Sequence, residues 1–183
     1  RPESTTVRIF ADLDAAIGWV EDRLLGALER GVEAEPLMSL REMESFAHHQ
    51  DDTLLALAQH MQTRHVAAGE TIYAHGTPGN ELYWVRRGIV RHVAPLDSKT
   101  TKPVATFGRG DFFGGLAFMD AQPRPHYSVA LTDADVYVLT RASFSQLGRA
   151  HHIFAVTLTT EMARTFALRL RGAERKIAML QES

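Results

Sequence analysis

The chain has 183 residues, a formal net charge of −2 and no cysteine, with an isoelectric point near 6.5. This is the size of one medium domain with an appendage, large enough for a real core. The charge balance excludes the basic footprint of a nucleic-acid or anionic-membrane binder. The missing thiols exclude disulfides and thiolate metal sites, and fit a reducing compartment.

No stretch approaches the roughly 18 apolar residues of a membrane-spanning helix. The first residue is Arg1 and no signal-peptide pattern follows, so the sequence reads as a piece of a longer protein.

Residues 1–30 read as a strand and a helix without their partners. Val7-Arg8-Ile9-Phe10 has strand character, Asp12 is an N-cap, and Ile17, Val20, Leu24 and Leu28 share one helical face. The segment Val7 to Leu25, most strongly Asp12-Leu13-Asp14-Ala15-Ala16 with Glu21-Asp22, resembles the last strand and helix of a STAS domain, the module that commonly follows the membrane part of SulP-type anion transporters. The other reading of the segment is an N-terminal helix packed on its own domain. Residues 31–36, small, acidic and ending in Pro36, read as a linker.

The domain proper is expected over residues 37–183. Leu37, Leu40, Met43 and Phe46 have helical spacing, and Asp51-Asp52 opens a second helix carrying Leu54, Leu55, Leu57 and Met61. From His65 residues alternate and turn signals recur at Gly69-Glu70, Gly76–Asn80 and Arg87-Gly88. Strands are predicted at 71–74, 82–86, 89–94, 103–107, 127–131 and 136–140. Many short strands at close spacing argue for a β-roll over about 65–141, a jelly-roll-like antiparallel barrel in an α+β chain.

Within that region lies Gly110-Asp111-Phe112-Phe113-Gly114-Gly115-Leu116-Ala117, followed by Pro123-Arg124-Pro125-His126 and a strand ending at Ala130. Paired glycines before a short apolar run suit one turn of helix whose free N–H groups can face an anion. Arg124 adds a cationic fork suited to phosphate. The plain alternative is a surface loop with a solvated arginine.

Phe113 to Arg124 resembles the phosphate-binding cassette of cyclic-nucleotide-binding domains. The glycines at 69, 76 and 88, Glu81–Val85 and Thr132–Val136 extend the resemblance from about His65 to Leu147. It implies a cytoplasmic regulatory domain that binds cAMP, cGMP or a related phosphate ester through Gly114, Gly115, Leu116, Ala117, Arg124, Pro125 and His126.

Two positions depart from the family. Its ribose-binding glutamate is replaced by Gly115, and a backbone N–H on the phosphate is lost at Pro125. Restoring a glutamate at 115 should strengthen binding, unless that glycine is required for a positive φ. The competing reading is a pseudo-sensor, the same fold kept for dimerisation or docking without ligand.

The C-terminal helices, about 142–182, carry Thr159, Ala163, Phe166, Leu170, Ala173, Ile177 and Leu180 in 4-3 steps, a coiled-coil seam. By resemblance this helix covers the nucleotide base and pairs two subunits. The chain stops at Ser183, where related transcription factors continue into a winged helix, so DNA binding is not expected. An enzyme is not expected either. The nine histidines contain no His-x-His pair for a cupin metal, and no Walker or His-Glu-x-x-His motif occurs. The combined expectation is the cytoplasmic sensor of a SulP-type transporter, with a STAS neighbour, a homodimeric C-terminal helix and no membrane contact of its own.

Overall fold

The structure, a computed structural model, describes residues 35–47, 49–97 and 100–181. The predicted STAS-like segment, and all of the linker before Glu35, lie outside the described residues.

Eight strands form two four-stranded antiparallel sheets. In chain order they are β1 Gln62–Val66, β2 Thr71–Tyr73, β3 Glu81–Arg87, β4 Val90–Pro95, β5 Thr101–Phe107, β6 Phe112–Phe113, β7 Tyr127–Ala130 and β8 Ala134–Thr140. One sheet has the order β1-β8-β3-β6 and the other β2-β7-β4-β5. The four helices are α1 Asp51–His60, α2 Gly115–Asp120, α3 Arg141–Ala150 and α4 His152–Gln181. The α+β β-roll with flanking helices is therefore the observed fold.

Period-2 alternation sorts β3 and β8 between two cores. Tyr83, Val85, Val136 and Val138 point between the sheets, where they meet Val66, Ile72, Val90, Phe107 and Phe113. Leu82, Trp84 and Leu139 point the other way and pack on Met43, Phe46, Leu57, Leu147, Phe154, Leu158 and Met162 from the helical layer. Both faces of β3 are covered, so Leu82 to Val85 are buried in succession. Phe112 and Phe113 divide in the same way, one to each core.

Several boundaries differ from the sequence reading. The helix expected over 37–46 is two 3₁₀ turns, Leu40–Glu42 and Glu44–Phe46, separated by extended Met43. Ser39 caps the first through a capping box with Glu42, which competes with a continuous helix. β1 and β6 were not predicted: β1 is mostly polar and exposed, and β6 has only two residues. The single-face seam on α4 is also corrected. Phe154, Leu158 and Met162 form a buried ridge in steps of four, and Phe166 continues it onto the β-roll rather than outward.

Candidate functional site

The short helix α2 is set by its two glycines. Gly114, its N-cap, sits at φ 83°, where a Cβ would fall 2.8 Å from Arg124 Nη1, so glycine is required on both counts. Gly115 has no positive φ. There a Cβ would fall 2.7 Å from Phe166 Cζ, so the constraint is space. At the other end of α2, Arg141 Nη2 donates to Ala117 O at 2.9 Å. The same carbonyl accepts from the C-cap Ala121 N–H at 3.1 Å.

Beside α2 lies a cavity of about 130 Å³. All seven predicted residues, Gly114, Gly115, Leu116, Ala117, Arg124, Pro125 and His126, line it. Sequence reasoning missed the opposite walls: Tyr73 on β2, His92 on β4, Val104, Ala105 and Phe107 on β5, and Phe166 and Arg169 on α4. Alternation along β4 and β5 could have flagged His92 and Phe107 as inward-facing. Nothing in a 4-3 repeat separates Phe166 from its neighbours.

Arg124 is 1% exposed. Its Nη1 donates to Gly114 O and its Nη2 to Glu81 O, both at 2.7 Å. Its guanidinium lies over the Tyr73 ring at 4.2 Å. Its backbone is fixed as well: Arg124 N donates to Thr77 O and Gly76 N donates to Arg124 O, each at 2.8 Å. The fork therefore ties the cassette to β3, and the Arg124 backbone ties it to the β2–β3 loop. Turning the fork towards an anion would take a charged donor from both carbonyls and leave Gly114 O with the Phe118 N–H at 3.3 Å, at about 1–3 kcal/mol for an acceptor left buried without a partner.

The remaining polar groups are largely neutral. Tyr73 Oη and His92 Nε2 are 2.8 Å apart. Burial, then the positive fields of His126, Arg169 and Arg124, hold the His92 imidazole down to a pKa of about 3. Burial also lowers His126, with His75 adding to it. Burial pushes the Tyr73 phenol up to about 12. Arg169 stacks over Phe107 at 4.9 Å and donates to Phe112 O at 3.3 Å. Burial lowers its pKa, and the nearby Asp111 carboxylate opposes that shift. Among the described residues no group of three or more His, Cys, Asp and Glu is placed to hold a metal. The arrangement is one for enclosing a small molecule.

Two packed antiparallel sheets, a short cassette helix in one wall and a long helix as roof define a β-roll domain with a cavity beneath that helix. Residues 63–151 match the family model of the cyclic nucleotide-binding domain, and this part of the chain is a domain of that kind.

Several known proteins are similar. Glutaminase 2 of Bradyrhizobium diazoefficiens is 28% identical over 174 residues, covering 95% of this chain and 27% of that protein. The cAMP-dependent protein kinase regulatory subunit of Aspergillus niger is 39% identical over 80 residues, covering 44% of this chain and 19% of that protein. The chain thus spans about a quarter or less of these relatives.

Among solved structures, the catabolite activator protein of Thermus thermophilus is 28% identical with a TM-score of 0.63, covering 75% of this chain and 62% of that one. A cyclic nucleotide-binding domain from Methylobacillus flagellatus has a TM-score of 0.68 at 19% identity, covering 88% and 85%. Among the described residues no helix is long and apolar enough to cross a membrane.

Proposed function

We propose that this chain carries a cytoplasmic sensor domain that reads a small ligand in the β-roll cavity and relays its presence through α4. The observation that carries this reading is that α4, leaving the roll, also roofs the cavity with Phe166 and Arg169. A ligand that needs the roof moved, or that holds it down, shifts α4 by its differential affinity for the two positions. Cyclic nucleotides are the first ligands to test, because the family match and the cassette residues support them.

The output reaches a larger protein. The STAS-like segment supports a SulP-type anion transporter as effector. A second reading is favoured by the alignment with glutaminase 2, which spans nearly the whole chain: the effector is then an amide-hydrolysing enzyme. On α4, Val156, Ala163, Ala167, Leu170 and Ile177 are exposed in heptad-like steps, which supports pairing with a second copy.

The pseudo-sensor reading is favoured by one observation, that both terminal nitrogens of Arg124 are already bonded to backbone carbonyls. Calorimetry of the chain with cAMP and cGMP separates the two. Absent groups of the kind seen at Gly115 and Pro125 each weaken binding by about 1.5–3 kcal/mol, so a sensor gives micromolar-to-millimolar affinity. No heat with any small ligand, and no thermal shift, sinks the sensor reading.

A further inference from the structure

We infer that the occupant of this cavity is a neutral planar heterocycle of nucleobase size, a base or nucleoside recognised without any phosphate. This rests on the sensor reading above and specifies its ligand.

The fork of the cassette arginine is not free for an anion. Arg124 is buried, its two terminal nitrogens are bonded to carbonyls on two different elements, and its flat face lies against Tyr73. Pro125 has no N–H to offer. His92 and His126 line the cavity as uncharged imidazoles at neutral pH, so they bring no compensating cation. Arg169 is the other cationic wall residue, and the field of Asp111 acts on it with opposite sign. A phosphate entering here would shed its water to meet an arginine whose two terminal nitrogens are already engaged, an exchange that low-dielectric surroundings penalise.

The same walls suit an uncharged ring. His92 and His126 are stacked at 5.7 Å between ring centres, and Phe107 lies 4.5 Å from His92. Phe166 closes the roof. The volume of about 130 Å³ is close to that of apolar cavities that accept a single aromatic ring, about 150 Å³. A flat heterocycle therefore enters with little movement of α4, whereas a nucleotide does not. Polar edges have partners too: the imidazole nitrogens, the Tyr73 hydroxyl, and Arg124 Nε, which is buried without a hydrogen-bond partner. Stacking surfaces with a few directional polar groups are how bases are held without reference to their backbone.

The test is a calorimetric and thermal-shift series on the 183-residue chain with adenine, adenosine, guanosine, cAMP and cGMP, at low and high salt. The expected result is that at least one base or nucleoside binds ten times or more tightly than its cyclic phosphate, with affinity indifferent to salt. Phe166→Leu, with its fold checked by circular dichroism, should weaken that binding at least fivefold. Tighter and salt-sensitive binding of cAMP or cGMP overturns the inference while leaving the sensor reading standing. Silence from all five probes at millimolar concentration overturns the inference and counts against the sensor reading as well.

Discussion

Phe166 stands where a side chain at position 115 would begin, its Cζ 2.7 Å from the Cβ that Gly115 lacks. The long helix therefore rests on the cassette at the residue where the sequence departs from the family pattern. The glycine is there because an aromatic ring occupies the space, and Gly114 carries the positive φ. Adding a glutamate would lift α4 before it could meet a ligand.

Gly115→Ala should accordingly destabilise the fold by about 1–3 kcal/mol, the usual penalty for an overfilled contact. In a Phe166→Ala background the same change should be nearly neutral. Urea unfolding of the four proteins measures the coupling. Equal penalties in both backgrounds would place Phe166 elsewhere.

Arg124→Ala should lower stability by about 2–4 kcal/mol, since it removes the charged donor to Glu81 O and leaves Gly114 O with only the Phe118 N–H. Arg124→Lys should recover less than half of that, because a single ammonium cannot span both acceptors as the fork does. A thermal melt unchanged by either substitution would mean that the side chain is free to meet a ligand.

Stability should fall in mild acid. His92 titrates at about 3 in the folded chain against about 6.5 when unfolded. Between these values only the unfolded state gains the proton. The contribution is complete above pH 7 and is lost from about pH 6.5 downward, at no more than about 1.4 kcal/mol per unit. His126, also lowered, adds in the same direction, while Tyr73, pushed up to about 12, stays uncharged over this range. His92→Gln, which retains an acceptor for the Tyr73 hydroxyl, should flatten the slope measured by denaturant titration at pH 5 and 7.

At Gly79 a Cβ would fall 2.0 Å from Ala117 Cβ, so the β2–β3 loop touches the buried face of α2 directly. Gly79→Ala should push α2 away and cost about 1–3 kcal/mol, while Ala117→Gly in the same protein should restore much of it. Failure of that rescue, read from melting temperatures, would argue that the strain lies elsewhere in the loop.

Much of this was readable from the residues. Turn glycines and alternating runs placed six of the eight strands, because β-branched and aromatic residues between glycines leave few other options. The cassette residues could be grouped from the sequence because they are local in it, and they line one cavity. What could not be read was whatever depends on distant partners. Leu82 to Val85 looks like a featureless apolar run because each face has its own core. Arg124 looks like an anion receptor until the positions of the Glu81 and Gly114 carbonyls are known. Phe166 reads as one more seam residue because a heptad repeat carries no information about which helix face meets the roll.

The ridge on α4 ends its dealings with the roll at Arg169, bonded to Phe112 O, yet the helix runs on to Gln181. At 1.5 Å per residue the remainder projects about 18 Å. It acts as a lever arm pivoting on Phe166 and Arg169. A tilt of about 10° there, the scale of an aromatic ring shifting to admit a guest, swings the far end by about 3 Å. Helix shifts of about 1–2 Å are enough to switch an interface, so a motion too small to open the roll is amplified into one that a neighbouring domain can feel.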